Sequence, residues 1–255
     1  MDIIALRSFG LSYIIMDSIF IIAFCLLLFF TKRRLSLIFA LCGGLLYFIV
    51  DYGIFHLATG SRHIVNADMF WVLLWMSFSY GITNFAWIWL CLRRDEKLTE
   101  WTLLIVLWWI VCPILDDAIT GGGQQITIWR ETGAYHWFMA VFLIVSYVAL
   151  IVWNLFQKDK NKQFKLLWLF AIGVAVQFGW EVTLLLGGIR SVDMDFLQQI
   201  KVLVVNSLME TNLGLPAIYC IYLAVTSKFT ERCTKRDIPV KFLDRLSESN
   251  NKLRC

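Results

Sequence analysis

Six carboxylic acids interrupt stretches that are otherwise hydrocarbon: Asp17, Asp51, Asp116, Asp117, Glu181 and Glu210. No lysine or arginine lies deep in the same stretches. On insertion scales an acid at the centre of a membrane helix costs about 2.5–3.5 kcal/mol, and such residues face a bundle interior or a water-filled cavity. With no buried base beside them, desolvation and mutual repulsion favour the protonated form of the deeper acids, which makes them candidate proton donors. The same cluster is equally able to hold a cation. Acid–base chemistry and ion binding therefore both stay open.

Helical spacing shows what surrounds each acid. In NSLMETNLGLPAIY, residues 206–219, Asn206, Glu210 and Gly214 recur at i, i+4, i+8 and form one stripe, with an amide above the acid and space below it. Pro216 removes a backbone donor and is expected to kink this helix near Asn212. Gln177 and Glu181 repeat the amide–acid spacing with Trp180 adjacent, and Tyr47 and Phe55 bracket Asp51. Asp51, Glu210 and Glu181 are the candidate catalytic acids and bases; Asn206, Gln177, Trp180, Tyr47 and Asp17 are candidate substrate contacts. Asp116 and Asp117 read as acids capping a helix end, with metal ligation as the alternative. No CxxC and no Cys/His cluster of metal-ligand spacing occurs.

The elements that must position these groups follow from composition. Apolar residues make up 59% of the 255, too many for a water-soluble domain. Runs long enough to span a bilayer fall at 9–30, 35–57, 69–92, 99–119, 137–157, 165–188 and 199–226, so the expectation is an all-α seven-helix transmembrane bundle over 1–226 with a polar cytoplasmic tail, 227–255. Of the 23 Lys and Arg, alternate connections place eighteen on one side. The other five, Arg7, Arg62, Arg130, Arg190 and Lys201, lie opposite. The positive-inside rule then puts the N-terminus outside or in a lumen and the C-terminus in the cytoplasm. The net charge of +4 is explained by this asymmetry, without a nucleic-acid partner. Partners are the bilayer, of plasma membrane or endoplasmic reticulum, and a lipophilic small molecule.

At about 1.5 Å per residue, Asp51 and Glu181 lie roughly 10 Å inside their outer helix ends, Asp17 about 12 Å and Glu210 about 15 Å. All six acids belong to the outer half. This predicts an acidic chamber near that face. Lys201 sits at the outer edge of the last helix, so a retinal Schiff base is excluded, and the absence of N-P-x-x-Y disfavours a G-protein-coupled receptor.

Seven short-looped helices with an acid near the outer end of the second and another in the seventh resemble the fungal integral-membrane terpene cyclases of meroterpenoid and indole-diterpene pathways. Where those carry a W-E-x-x-Y-type segment, this chain has LLYFIVDYGIFH, with Val50 and Asp51 in place of the tryptophan and glutamate. Where their last helix carries an aspartate followed by glycine and an aromatic, this chain has Glu210, Gly214 and Tyr219. The resemblance implies protonation of an epoxide or alkene on a prenyl chain by one buried acid and a cation cascade steered by aromatic faces, Tyr219 among the substrate contacts. It also implies no metal or redox cofactor, and gives Glu181 no part. A different class of function, a proton- or cation-coupled transporter or a small-molecule-binding membrane protein, would use the same acids.

Overall fold

The computed structural model describes residues 6–120, 125–131, 135–158, 163–190 and 194–229. Seven helices account for most of them: α1 (Leu11–Phe30), α2 (Arg34–Phe48), α3 (Met69–Arg93), α4 (Leu98–Thr120), α5 (Tyr135–Phe156), α6 (Leu166–Leu186) and α7 (Phe196–Phe229). Each falls on one of the apolar runs. Past Phe48, α2 continues through Ile49–Ala58 as wider π-helical turns, which carry Asp51. The helix α7 runs through Pro216 to Phe229, so the first residues of the expected tail are helical; the rest of that tail lies outside the described residues.

Six of the seven helices are long and apolar enough to cross a membrane, as in an integral membrane protein. The exception is α3, for which a span was expected. Its buried Ser77, Ser79, Thr83 and Asn84 dilute its hydropathy, and it packs against α1, α2, α4, α6 and α7 as the central helix. By contrast, α1 and α5 leave Ile15, Ile19, Ile22, Phe142, Val145 and Val152 exposed, an apolar outside that water would not tolerate and lipid would.

Small residues set the closest packing. A Cβ on Gly81 of α3 would collide with the backbone of Gly44 on α2, and one on Gly43 would meet the ring of Phe85. The Gly43–Gly44 pair thus lets α2 approach α3 closely at Gly81. At another close contact, Gly173 of α6 accommodates the Asn212 side chain of α7.

An all-α chain was expected, yet the described residues include three short strands: β1 (Arg7–Phe9), β2 (Arg62–Val65) and β3 (Ile126–Arg130). They form an antiparallel sheet of order β1-β3-β2, and Arg7 makes a further bridge to Arg190, just after α6. The segment before α1 and the connections α2–α3, α4–α5 and α6–α7 therefore meet at one end of the bundle. Three segments too short to be stable alone satisfy one another's backbone groups there.

Candidate functional site: a cavity between the sheet and the helices

Register decides which side chains the sheet presents. Arg62 pairs with Arg130, and Arg7 pairs with Ile128. Directly opposite residues share a face, as do residues two apart on a strand, so Arg7, Arg62, Ile128 and Arg130 all point the same way. Arg190, bridged to Arg7, joins them. These residues line a cavity of about 500 Å³, within the range of small-molecule sites. From the helices come Tyr47, Val50 and Asp51 on α2 and its π-helical extension, Ser77, Tyr80 and Asn84 on α3, Gln177 and Trp180 on α6, and Lys201, Asn206 and Glu210 on α7.

The premise of unpaired acids does not hold. Arg62 Nη2 donates to Asp51 Oδ1 at 2.6 Å, and Arg190 Nε lies 2.9 Å from Glu181 Oε2. Arg130 reaches two acids at once, with Nη1 3.9 Å from Asp51 and Nη2 3.6 Å from Glu210. Because one planar guanidinium spans both carboxylates, they lie within roughly 10 Å of each other. The bases were sought inside the spans, but they come from the connections between them, Arg62 and Arg130 from strands and Arg190 from the residues after α6. All five basic residues that the sequence assigns to the minority side, Arg7, Arg62, Arg130, Arg190 and Lys201, line this one cavity. The chamber expected to be acidic is lined by more cations than carboxylates.

One amide keeps its expected acid and gains a second, and the other changes partner. Asn206 was expected to bond Glu210 on its own helix, but its Nδ2 lies 3.5 Å from Glu181 on α6. Glu210 instead accepts from Gln177 Nε2 at 2.8 Å, while the same amide lies 3.3 Å from Glu181. Thr211 in turn donates to Gln177 Oε1 at 2.6 Å and fixes the amide's orientation. Glu181, 2% exposed, sits behind the lining as the group that anchors Arg190, Gln177 and Asn206.

Burial lowers the pKa of Arg130, and the neighbouring Arg62 lowers it further, with Glu210 and Asp51 acting in the opposite sense. For Arg190 burial lowers the pKa and Glu181 opposes it. Arg7 differs: burial alone would lower its pKa, but the field of Tyr80, Glu181, Glu210 and Asp51 leaves it raised. Its guanidinium lies over Tyr80 and Trp180, at 5.1 and 5.8 Å from the ring centroids, and Arg130 lies 4.4 Å from Phe55. Cation–π attraction thus already uses the aromatic faces that the sequence offers a substrate.

Besides Glu181, which stands behind the lining, four expected site residues are not brought to the cavity. Asp17 is buried between α1, α3 and α4, accepting from Trp75 Nε1 at 3.0 Å and Trp108 Nε1 at 2.9 Å. Asp116 accepts from the Gly10 and Tyr13 backbone amides at 2.9 and 3.0 Å and from the Ser12 hydroxyl, so it caps α1 from across the bundle, the capping role foreseen but on a different helix. Asp117 is exposed. Tyr219 packs against Phe164 and Tyr222, away from the cavity.

The functional residues that sequence reasoning missed are the arginines. A signal was present: I-T-I-W-R and R-H-I-V are short runs rich in β-branched and aromatic residues between the helical runs, which suits strands, and a period of two places Arg130 in phase with Ile126 and Ile128. The fold and site together define a helical-bundle protein of integral-membrane type, holding a charged, aromatic-lined cavity at its sheet end. No protein-family model, curated protein or solved structure matches the chain.

Proposed function

We propose that this is a multi-pass membrane enzyme, its N-terminus outside or lumenal, that carries out an acid–base conversion of a lipophilic substrate in the cavity. The reaction is an isomerisation or cyclisation, with the isoprenoid class of substrate taken from the terpene-cyclase resemblance. The observation that carries the proposal is the convergence of Asp51 and Glu210, from helices far apart in sequence, on one small-molecule-sized cavity under a shared Arg130. Two carboxyl groups on either side of a bound molecule can take a proton from one atom and return it to another. Glu210, which Arg130 approaches only at 3.6 Å and Gln177 orients, is the group we assign to proton transfer. Asp51, held by Arg62 at 2.6 Å, fixes the charge opposite it.

Extraction of lipids from cells with and without the protein, followed by mass spectrometry, tests this reading. Glu210→Gln is expected to abolish the product difference while the purified variant keeps its helical content and elution volume. A product profile unchanged in a well-folded Glu210→Gln protein would sink the proposal. The Arg62–Asp51 and Arg190–Glu181 pairs favour a second reading, since pairs of this kind exchange partners when a membrane protein moves a charged solute. That reading, a transporter or binding protein using the same acids, predicts solute uptake into proteoliposomes and no new product.

A further inference from the structure

The charges around the cavity do not balance. Arg7, Arg62, Arg130, Arg190 and Lys201 line it, against Asp51 and Glu210 in the lining and Glu181 behind it. Among the described residues this leaves a surplus of two positive charges in a largely buried space, where unpaired charge is expensive. Arg62, Arg130 and Arg190 each have a carboxylate partner. Arg7 has none among the described residues: its side chain contacts the Met76 sulfur at 3.5 Å and lies over the Tyr80 and Trp180 rings.

Two hydroxyl groups point to what is missing. Tyr80, 7% exposed, and Ser77, 1% exposed, lie one turn apart on α3 and both line the cavity. Neither hydroxyl oxygen has a hydrogen-bond partner among the described residues, and Arg62 Nε is unpartnered as well. Leaving a buried donor without an acceptor is costly, and three in one cavity, beside a guanidinium with no carboxylate partner among the described residues, form a set suited to one shared acceptor. An acceptor-only group with two negative charges and several oxygens would satisfy it. A carboxylate carries one charge; a phosphate monoester carries about −1.5 to −2 and three strong acceptor oxygens.

We propose that the cavity binds a phosphate-class anion through Arg7, with Tyr80 and Ser77 donating to its oxygens and Lys201 completing the charge balance. This rests on the substrate cavity proposed above and names the substrate's polar head: a phosphate on a hydrocarbon chain. Arginine suits the position because its rigid fork matches phosphate geometry.

The test uses the full-length protein in a phosphate-free maltoside detergent, with binding read by thermal shift and by tryptophan fluorescence, since Trp180 lies beside Arg7. The probes are dodecyl phosphate, dodecanol and inorganic phosphate. Dodecyl phosphate is expected to bind, dodecanol not, and Arg7→Gln to weaken binding at least tenfold. Tyr80→Phe, which removes one oxygen and keeps the ring, is expected to weaken it severalfold, and Arg7→Lys to recover part of the loss, so that a fold defect is separable from loss of the site. Inorganic phosphate binding as tightly as dodecyl phosphate would keep the anion site and overturn the lipid-borne head. Equal binding of dodecanol and dodecyl phosphate, or wild-type affinity in folded Arg7→Gln, would overturn the site itself. Dodecyl phosphate binding that survives in Glu210→Gln while no product is ever detected separates failure of the enzymatic reading from failure of this one.

Discussion

Arg62 and Arg130 stand directly opposite each other in the β2–β3 register, and both guanidinium groups reach the same Asp51 oxygen, at 2.6 and 3.9 Å. Like charges opposed across a strand pair repel, and here the carboxylate from the π-helical turns is what makes the pairing tolerable. The π-helical turns matter for this reason: they carry Asp51 beneath the sheet, a use of such turns common at functional sites.

Asp51→Asn should consequently destabilise the protein well beyond a surface change. Removing one partner of a buried pair leaves uncompensated charge and costs about 3–5 kcal/mol. Thermal unfolding in detergent of Asp51→Asn, Arg62→Gln and the double variant checks this. The double variant should be less destabilised than the sum of the singles, because each single change strands the other group. Strict additivity would refute the coupling.

The α2–α3 contact makes opposite predictions for different glycines. Gly81→Ala forces a methyl group into the Gly44 backbone, and overpacking of this kind costs about 1–3 kcal/mol, seen as a lowered melting temperature. Gly214→Ala, on the stripe with Asn206 and Glu210, meets only Ile218 at 3.9 Å and should leave the melting temperature within a degree or two. Equal effects at the two positions would contradict the packing described.

Asp116 and Asp17 are predicted to matter for stability and not for ligand. Asp116→Ala removes the acceptor for the start of α1 and should cost about 0.5–2 kcal/mol. Asp17→Leu leaves the Trp75 and Trp108 indole N–H groups without their acceptor, at about 1–3 kcal/mol. Both variants, once folded, should bind dodecyl phosphate like the wild type. A specific loss of binding in folded Asp17→Leu would place this acid back in the site.

Charge at the mouth of the cavity gives a last test. Lys201 is exposed and lines the cavity, so Lys201→Gln should reduce dodecyl phosphate affinity modestly, about twofold to fivefold, and make it less sensitive to salt. Its stability should not change. Titration at two ionic strengths is the measurement.

The helices were legible in the sequence because a hydrophobic run is a local property: each of the seven falls on an expected run, and six of them are long and apolar enough to span a bilayer. The positions of Asp51, Glu181, Glu210, Gln177, Trp180 and Tyr47 were legible for the same reason, since helical spacing fixes which residues share a stripe. Even so, α3 reads as one more span although its buried serines, threonine and asparagine make it the bundle's centre, because neighbours decide burial.

Only the tertiary structure decided what the acids meet. Ser8 and Thr127, whose hydroxyl groups lie 3.3 Å apart between β1 and β3, are 119 residues apart, and no local pattern specifies such a pairing. The pairing gathers Arg7, Arg62, Arg130 and the bridged Arg190, otherwise a small remainder in a topology count, into the lining of one cavity, where Lys201 of α7 joins them. It also sends Asn206 to Glu181 and gives Gln177, besides the Glu181 that helical spacing supplies, a closer partner in Glu210, because these cross-helix partners are set by how α6 and α7 pack. Sequence fixed the chemical groups through local periodicity. Non-local strand register and helix packing determined their charge partners, and with them the chemistry the cavity can hold.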